Sequence, residues 1–165
     1  MGIKKVKNIV WGLCLAAIAS FTFTGCSKKN DPAPEEKKVA VKFTVTATSA
    51  GVIDETDITI QAAAANGDAS QYGAPVWKIN GVTQNNEDNI FLKGNQFNGS
   101  TKTYVLETVK PFGMATIGVE CTNRGTTPIT LTFNTQVDGK VQTNVENLKV
   151  MPGEGYDKQF TYTAN

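Results

Sequence analysis

The chain has no histidine, which removes the usual proton shuttle and the commonest zinc ligand together. Nucleophiles of the Ser-His-Asp or Cys-His kind are therefore left without a base. Cys121 alternates with Ala115, Ile117 and Val119, the position of a small buried hydrophobe rather than of a reactive thiolate. Among carboxylates, Glu107 and Glu120 fall on strands expected to be neighbours, the arrangement a glycosidase-type acid pair requires. Both also alternate with apolar residues, as solvent-facing strand positions do. Asp54, Glu55 and Asp57, and separately Glu87-Asp88-Asn89, gather oxygen ligands in loops. Such ligands suit calcium, although neither stretch has EF-hand spacing. Tyr72, Trp77, Tyr104 and Tyr156 are the rings from which a sugar-stacking platform could be built, yet Trp77 in register with Ile79 fits a core equally. No phosphate-cradling Gly-x-x-x-x-Gly-Lys loop occurs. These residues describe a non-enzyme with no cofactor and no resident metal, Asp54, Glu55 and Asp57 being its calcium candidates.

The first 25 residues read as a targeting segment. Lys4, Lys5 and Lys7 form a basic start, and Ile9 to Ala19 an uncharged apolar run, long enough for a signal core but short of the ~20 residues of a spanning helix. Gly25 places a small residue immediately before Cys26. The stretch Phe23-Thr24-Gly25-Cys26 resembles the lipobox of bacterial lipoproteins, with Phe23 where leucine is commonest. That resemblance implies cleavage before Cys26, a lipid on its sulfur and attachment to a membrane. With Cys14 lost in the signal and Cys26 acylated, Cys121 is the remaining thiol.

Residues 26–38 are charged and contain proline, with little to bury, and are expected to be a flexible tether. The domain follows at 39–165, a size for one core. Without Lys4, Lys5 and Lys7, 13 basic residues face 15 acidic ones. That balance gives no field for nucleic acid. Strand signals dominate. Val39, Val41, Phe43, Val45 and Ala47 alternate with polar or small residues, and Ile58-Ile60-Ala62, Met114 to Cys121 and Ile129 to Val137 repeat the period of two. Asn80-Gly81 and Asp138-Gly139 are hairpin turns, and a phase shift after Val145 predicts a bulge. Nineteen threonines in the domain suit pleated sheet better than helix. The pattern predicts an all-β, antiparallel, immunoglobulin-like sandwich of about seven to nine strands.

The lipobox, the charged segment Cys26-Ser27-Lys28-Lys29-Asn30-Asp31 and the Thr/Asn-rich β domain together resemble small secreted lipoproteins of the Bacteroidetes. The resemblance implies an outer-membrane lipid anchor, facing either the cell surface or the periplasm. It also implies an immunoglobulin-like domain with Trp77 buried on its third strand. The function expected is a non-catalytic interaction or adhesion module with a protein or glycan ligand. The alternatives are a structural accessory subunit of an envelope complex and a glycan-binding domain.

Overall fold

The computed structural model describes residues 36–164 apart from Asp68 and Ser100. The signal segment, Cys26 and most of the expected tether lie outside the described residues. Ten strands follow in order: β1 (Val41–Ser49), β2 (Ile58–Ala65), β3 (Trp77–Ile79), β4 (Val82–Thr83), β5 (Asn89–Lys93), β6 (Lys102–Thr108), β7 (Met114–Thr122), β8 (Ile129–Val137), β9 (Lys140–Val150) and β10 (Gly155–Thr163). The last is longer than the Phe160–Tyr162 signal had shown, because Lys158 interrupts the apolar alternation of Tyr156, Phe160 and Tyr162 on its inner face. Among the described residues the only helices are two short 3-10 turns, at Ala69–Gln71 and Gly94–Phe97.

Six strands form one sheet in the order β4-β3-β6-β1-β8-β9, and four form the other as β10-β7-β2-β5. Every pairing is antiparallel. The domain is thus an all-β sandwich. Successive strand side chains point to opposite faces, so the alternation decides what lies between the sheets. Val41, Phe43, Val45 and Ala47 from β1, Ile58, Ile60 and Ala62 from β2, and Ile117, Val119 and Cys121 from β7 all turn inward. Phe133 of β8 lies 6.1 Å from Phe43 in its own sheet, and 6.1 and 6.0 Å from Tyr156 and Phe160 of the other.

Both predicted hairpins form. Asn80 and Gly81 have φ of 50° and 81°, and Asp138 and Gly139 have 50° and 78°, the paired positive angles that match a hairpin to strand twist. Their side chains also brace neighbouring chain. Val105 N–H donates to Asn80 Oδ1 at 2.8 Å, and Ala40 N–H to Asp138 Oδ1 at 2.9 Å. The β8–β9 pairing shifts register twice. At one shift Asn147 takes φ of 53° and its N–H donates to Thr132 Oγ1, which is the bulge expected after Val145.

Glu107 and Glu120 are not neighbours. β6 and β7 belong to opposite sheets, because the chain crosses between them at 109–113. There Val39 and Phe112 exchange backbone hydrogen bonds of 2.7 and 2.9 Å. Glu107 instead pairs with Lys42 at 3.0 Å, and Glu120 stands across from Thr59 and Asp157. No acid pair is assembled from these two.

Trp77 is fully enclosed, and its Nε1–H donates to the carbonyl of Asp88 at 3.2 Å. Replacing it with alanine leaves a large cavity, and Trp77→Ala should lower the unfolding free energy by about 3–5 kcal/mol. A denaturant titration followed by circular dichroism measures this, and a loss below about 1 kcal/mol would show that the ring is not held between the sheets.

Candidate functional site

The strands place two sets of loops at opposite ends. The described chain begins beside the Asp138-Gly139 hairpin, where Ala40 is bonded to Asp138. Nine residues of β1 later, Ser49 pairs with Ile129, which pairs with Val150. At ~3.3 Å per residue that end lies about 30 Å away. It gathers the loops 50–57, 94–101, 123–128 and 151–154.

Three buried or half-buried polar side chains knit these loops together. Asn98 accepts from Ile53 N–H at 2.6 Å and donates to Ile53 O at 2.8 Å. Asn123 donates to the carbonyls of Thr127 and Val150 at 2.9 and 2.8 Å and accepts from Gly125 N–H at 3.0 Å. Asp57 accepts from Asp54 N–H at 2.9 Å and from Arg124 N–H at 3.4 Å. The Arg124 guanidinium lies 3.8 Å from the same carboxylate and donates to Thr56 O and Oγ1 at 2.9 and 3.1 Å. A carboxylate buried this deeply is tolerated because it is both paired and hydrogen-bonded. On this frame stand two exposed apolar side chains, Val52 at 76% and Met151 at 44% exposure.

Of the calcium candidates, Asp57 is drawn inside while Asp54 and Glu55 stay exposed. The oxygens of Asp57 already serve backbone amides. Among the described residues no group of three or more His, Cys, Asp or Glu side chains is arranged to hold a metal. Glu87-Asp88-Asn89 sits at the other end, where Asp88 O accepts from Ala64 N–H. The four rings suspected of a platform are dispersed. Trp77 is core, and Tyr156 packs on Phe133. Tyr104 stands edge-on to Phe97 at 5.1 Å, with its hydroxyl donating to Gln96 O. Tyr72 is 75% exposed by itself.

Phe91 was missed. It is 52% exposed, with the Lys93 ammonium 5.7 Å from its ring centre. Its row crosses the outer face of the four-stranded sheet through Gln61, Gly118 and Gln159. The run Ile90-Phe91-Leu92 is apolar throughout, so periodicity could not tell which residue faces out. Asn98 and Asn123 carried no sequence signal, since asparagine is common in wet loops.

Cys121 is buried, and its thiol pKa is pushed up to about 12, chiefly by desolvation and secondarily by the Asp57 carboxylate. The unfolded thiol ionises near its ordinary value of 9.0, below the folded one. The folded state therefore holds the proton longer, and stability is fully present below pH 9 and lost as pH rises towards 12. Wild type should lose about 1 kcal/mol of stability one pH unit above that ordinary value. Cys121→Ala should lack this component, as denaturant midpoints at the two pH values will read.

No family model matches the chain, and no curated protein matches it in sequence. Among solved structures it is similar to a DUF4425 family protein from Bacteroides ovatus ATCC 8483. The identity is 18% and the TM-score 0.46, over 76% of this chain and 95% of that one, a likeness too low to argue from.

Proposed function

We propose that the protein is a lipid-anchored, non-catalytic interaction module of the bacterial envelope. In this reading Cys26 carries the lipid at the outer membrane, and the loops at the far end of the sandwich meet a protein partner. One observation carries it. The end about 30 Å from where the described chain begins presents Val52 and Met151 to solvent on loops fixed by Asn98, Asn123 and Asp57. Exposed apolar groups on a rigid frame lose little entropy on binding. The lipobox and basic start support the anchor.

The domain is immunoglobulin-like in this proposal. In such sandwiches the second and fifth strands pair in one sheet, and the third and sixth in the other. Here β2 pairs with β5, and β3 with β6 and β4. Trp77 occupies the third strand. The Tyr104 hydroxyl near the start of β6 reaches back to Gln96 O, as the tyrosine corner of those domains does. The usual inter-sheet disulfide has no counterpart, since Cys121 is the domain's one cysteine.

A second reading, a glycan-binding face, draws on Phe91 and the Gln61, Gly118 and Gln159 row. One exposed ring makes a small platform, and the loop end is preferred.

Two measurements test the proposal. Cys26→Ala should move the protein from the membrane fraction to the soluble one and abolish palmitate labelling, and retention in the membrane would refute the anchor. Crosslinking in cells should give adducts that Val52→Asp with Met151→Asp removes by tenfold or more, at an unchanged melting temperature. Adducts that survive this change and vanish in Phe91→Ala would move the interaction to the sheet face.

A further inference from the structure

We propose that the outer face of the four-stranded sheet is the interface of a homodimer, in which two copies of this chain pack sheet to sheet. The face is a different part of the molecule from the loop end, which the dimer leaves open. Its side chains stand in rows that cross β10, β7, β2 and β5 in turn. One row is Asp157, Glu120, Thr59 and Lys93, and the next is Gln159, Gly118, Gln61 and Phe91.

Two features of this face have no use within one copy. Gly118 sits in the middle of β7, in regular register with both neighbours and with φ outside the left-handed region. A Cβ there would meet only the Gln61 side chain, at an ordinary 3.6 Å, so the domain itself does not require a glycine. A glycine weakens a strand interior, and it marks the place where another backbone or a ligand comes close. The second feature is electrostatic. Glu120 and Asp157 stand directly across from each other, a like-charge pair that disfavours the sheet. Neither carboxylate meets a cation among the described residues. Lys93 is three strands away on β5, at roughly 14 Å. Its ammonium donates to Thr59 Oγ1 at 3.3 Å and lies 5.7 Å from the centre of the Phe91 ring.

A second copy answers both. A two-fold axis between the packed sheets, running along the strands midway between β2 and β7, lays β5 of each copy over β10 of the other and β2 over β7, row for row. Gln61 then enters the notch at Gly118 of the second copy. Met114 covers Ala65, which shares its row. Lys93 comes over Asp157, with Glu120 beside it. Each copy supplies both halves of every contact, as a two-fold interface requires. This axis also leaves both chain starts at one end, so that on the lipid-anchor reading two tethers reach one membrane. Four strands about 4.8 Å apart and up to ~30 Å long offer roughly 500 Å2 per copy. That is near the lower bound of about 1,000 Å2 in total for a specific interface, so the free domain should associate weakly and the tethered one more strongly. A sugar is the lesser candidate, because the Lys93 ammonium already lies over the ring on which it would stack.

Among the described residues one core cluster joins both sheets, and no buried side-chain nitrogen or oxygen lacks a partner, so the domain can be tested without its lipid. Sedimentation velocity over a concentration series should give a monomer–dimer equilibrium with Kd on the order of 10 μM. Gly118→Gln fills the notch and should weaken the dimer by about tenfold or more, at an unchanged melting temperature. Lys93→Asp and Asp157→Lys should each weaken it by about tenfold, and the two together should return it to within about threefold of wild type. These residues are too far apart to meet within one copy, so recovery can come only from contact between copies. A protein still monomeric at about 1 mM overturns the proposal. So do dimers indifferent to Gly118→Gln, or a double variant as weak as its parents. Binding of maltohexaose or xylohexaose by a monomer, abolished in Phe91→Ala, would overturn it too and give the face to a glycan. In crosslinked cells a self-adduct has twice the mass of the chain, which separates it from adducts of another protein at Val52 and Met151. The dimer and the loop-end reading therefore fail independently.

Discussion

Phe133 is where the two sheets are held together. Its ring touches Phe43 within one sheet and Tyr156 and Phe160 of the other at 6.0–6.1 Å, in tilted contacts. Such ring pairs contribute about 0.5–1.5 kcal/mol each beyond the area they bury. β9 and β10, the edge strands on this flank, rely on this cluster, because each has a neighbour on one side only. Tyr162 adds a polar tie beside it. Its hydroxyl donates to buried Thr135 Oγ1 at 2.9 Å and meets Thr143 Oγ1 at 2.8 Å, spanning both sheets. A buried threonine without that phenol would leave its hydroxyl unsatisfied at a cost of about 1–3 kcal/mol.

With the sheets fixed face to face, the connections determine what the ends can do. Only β3–β4 and β8–β9 are joined within one sheet, and every other link crosses from sheet to sheet. Crossing links are longer than hairpin turns and need their own support. At the loop end that support comes from amide and carboxylate side chains bonded to backbone. Asn123 makes three such bonds and Asp57 two. At about 0.5–1.5 kcal/mol net per neutral bond, and more where a charge takes part, the two side chains together contribute no less than the 2–4 kcal/mol typical of one disulfide. The loops are thus cross-braced in a domain whose single cysteine cannot provide a disulfide.

What the sequence disclosed follows the same division. The strands were legible because one face of each is buried, which stamps a period of two on Val41 to Ala47 and on Ile129 to Thr135. The Asn80-Gly81 and Asp138-Gly139 hairpins were legible because positive φ at both positions narrows the residue choice. Strand partners were not legible. Alternation says which face of Glu107 and Glu120 is wet, but not which sheet each joins, and the crossing at 109–113 separates them. Asp57 resembled any acidic loop residue until the Asp54 and Arg124 amides were seen to converge on it. Phe91 was hidden by buried Ile90 and Leu92 on either side.

The edges bring these threads together. A sandwich with an exposed edge on each sheet invites pairing with other chains, and long edges need a device against it. β9 carries two, a register shift beside Lys140 and a second at Asn147. The bulges twist the strand away from a straight ladder, and Lys140 keeps a charge where an added strand would bury it. β9 and β10 end opposite sheets and share no ladder, so the space between them is the open flank of the sandwich. Tyr162 and Thr143 bridge the gap at one level, and nearer the start of β9 the walls part beside Lys140. Protection of that flank therefore comes from the bulged strand and its inward lysine, and a change that straightened β9 would expose a regular ladder to pairing while leaving the flank open.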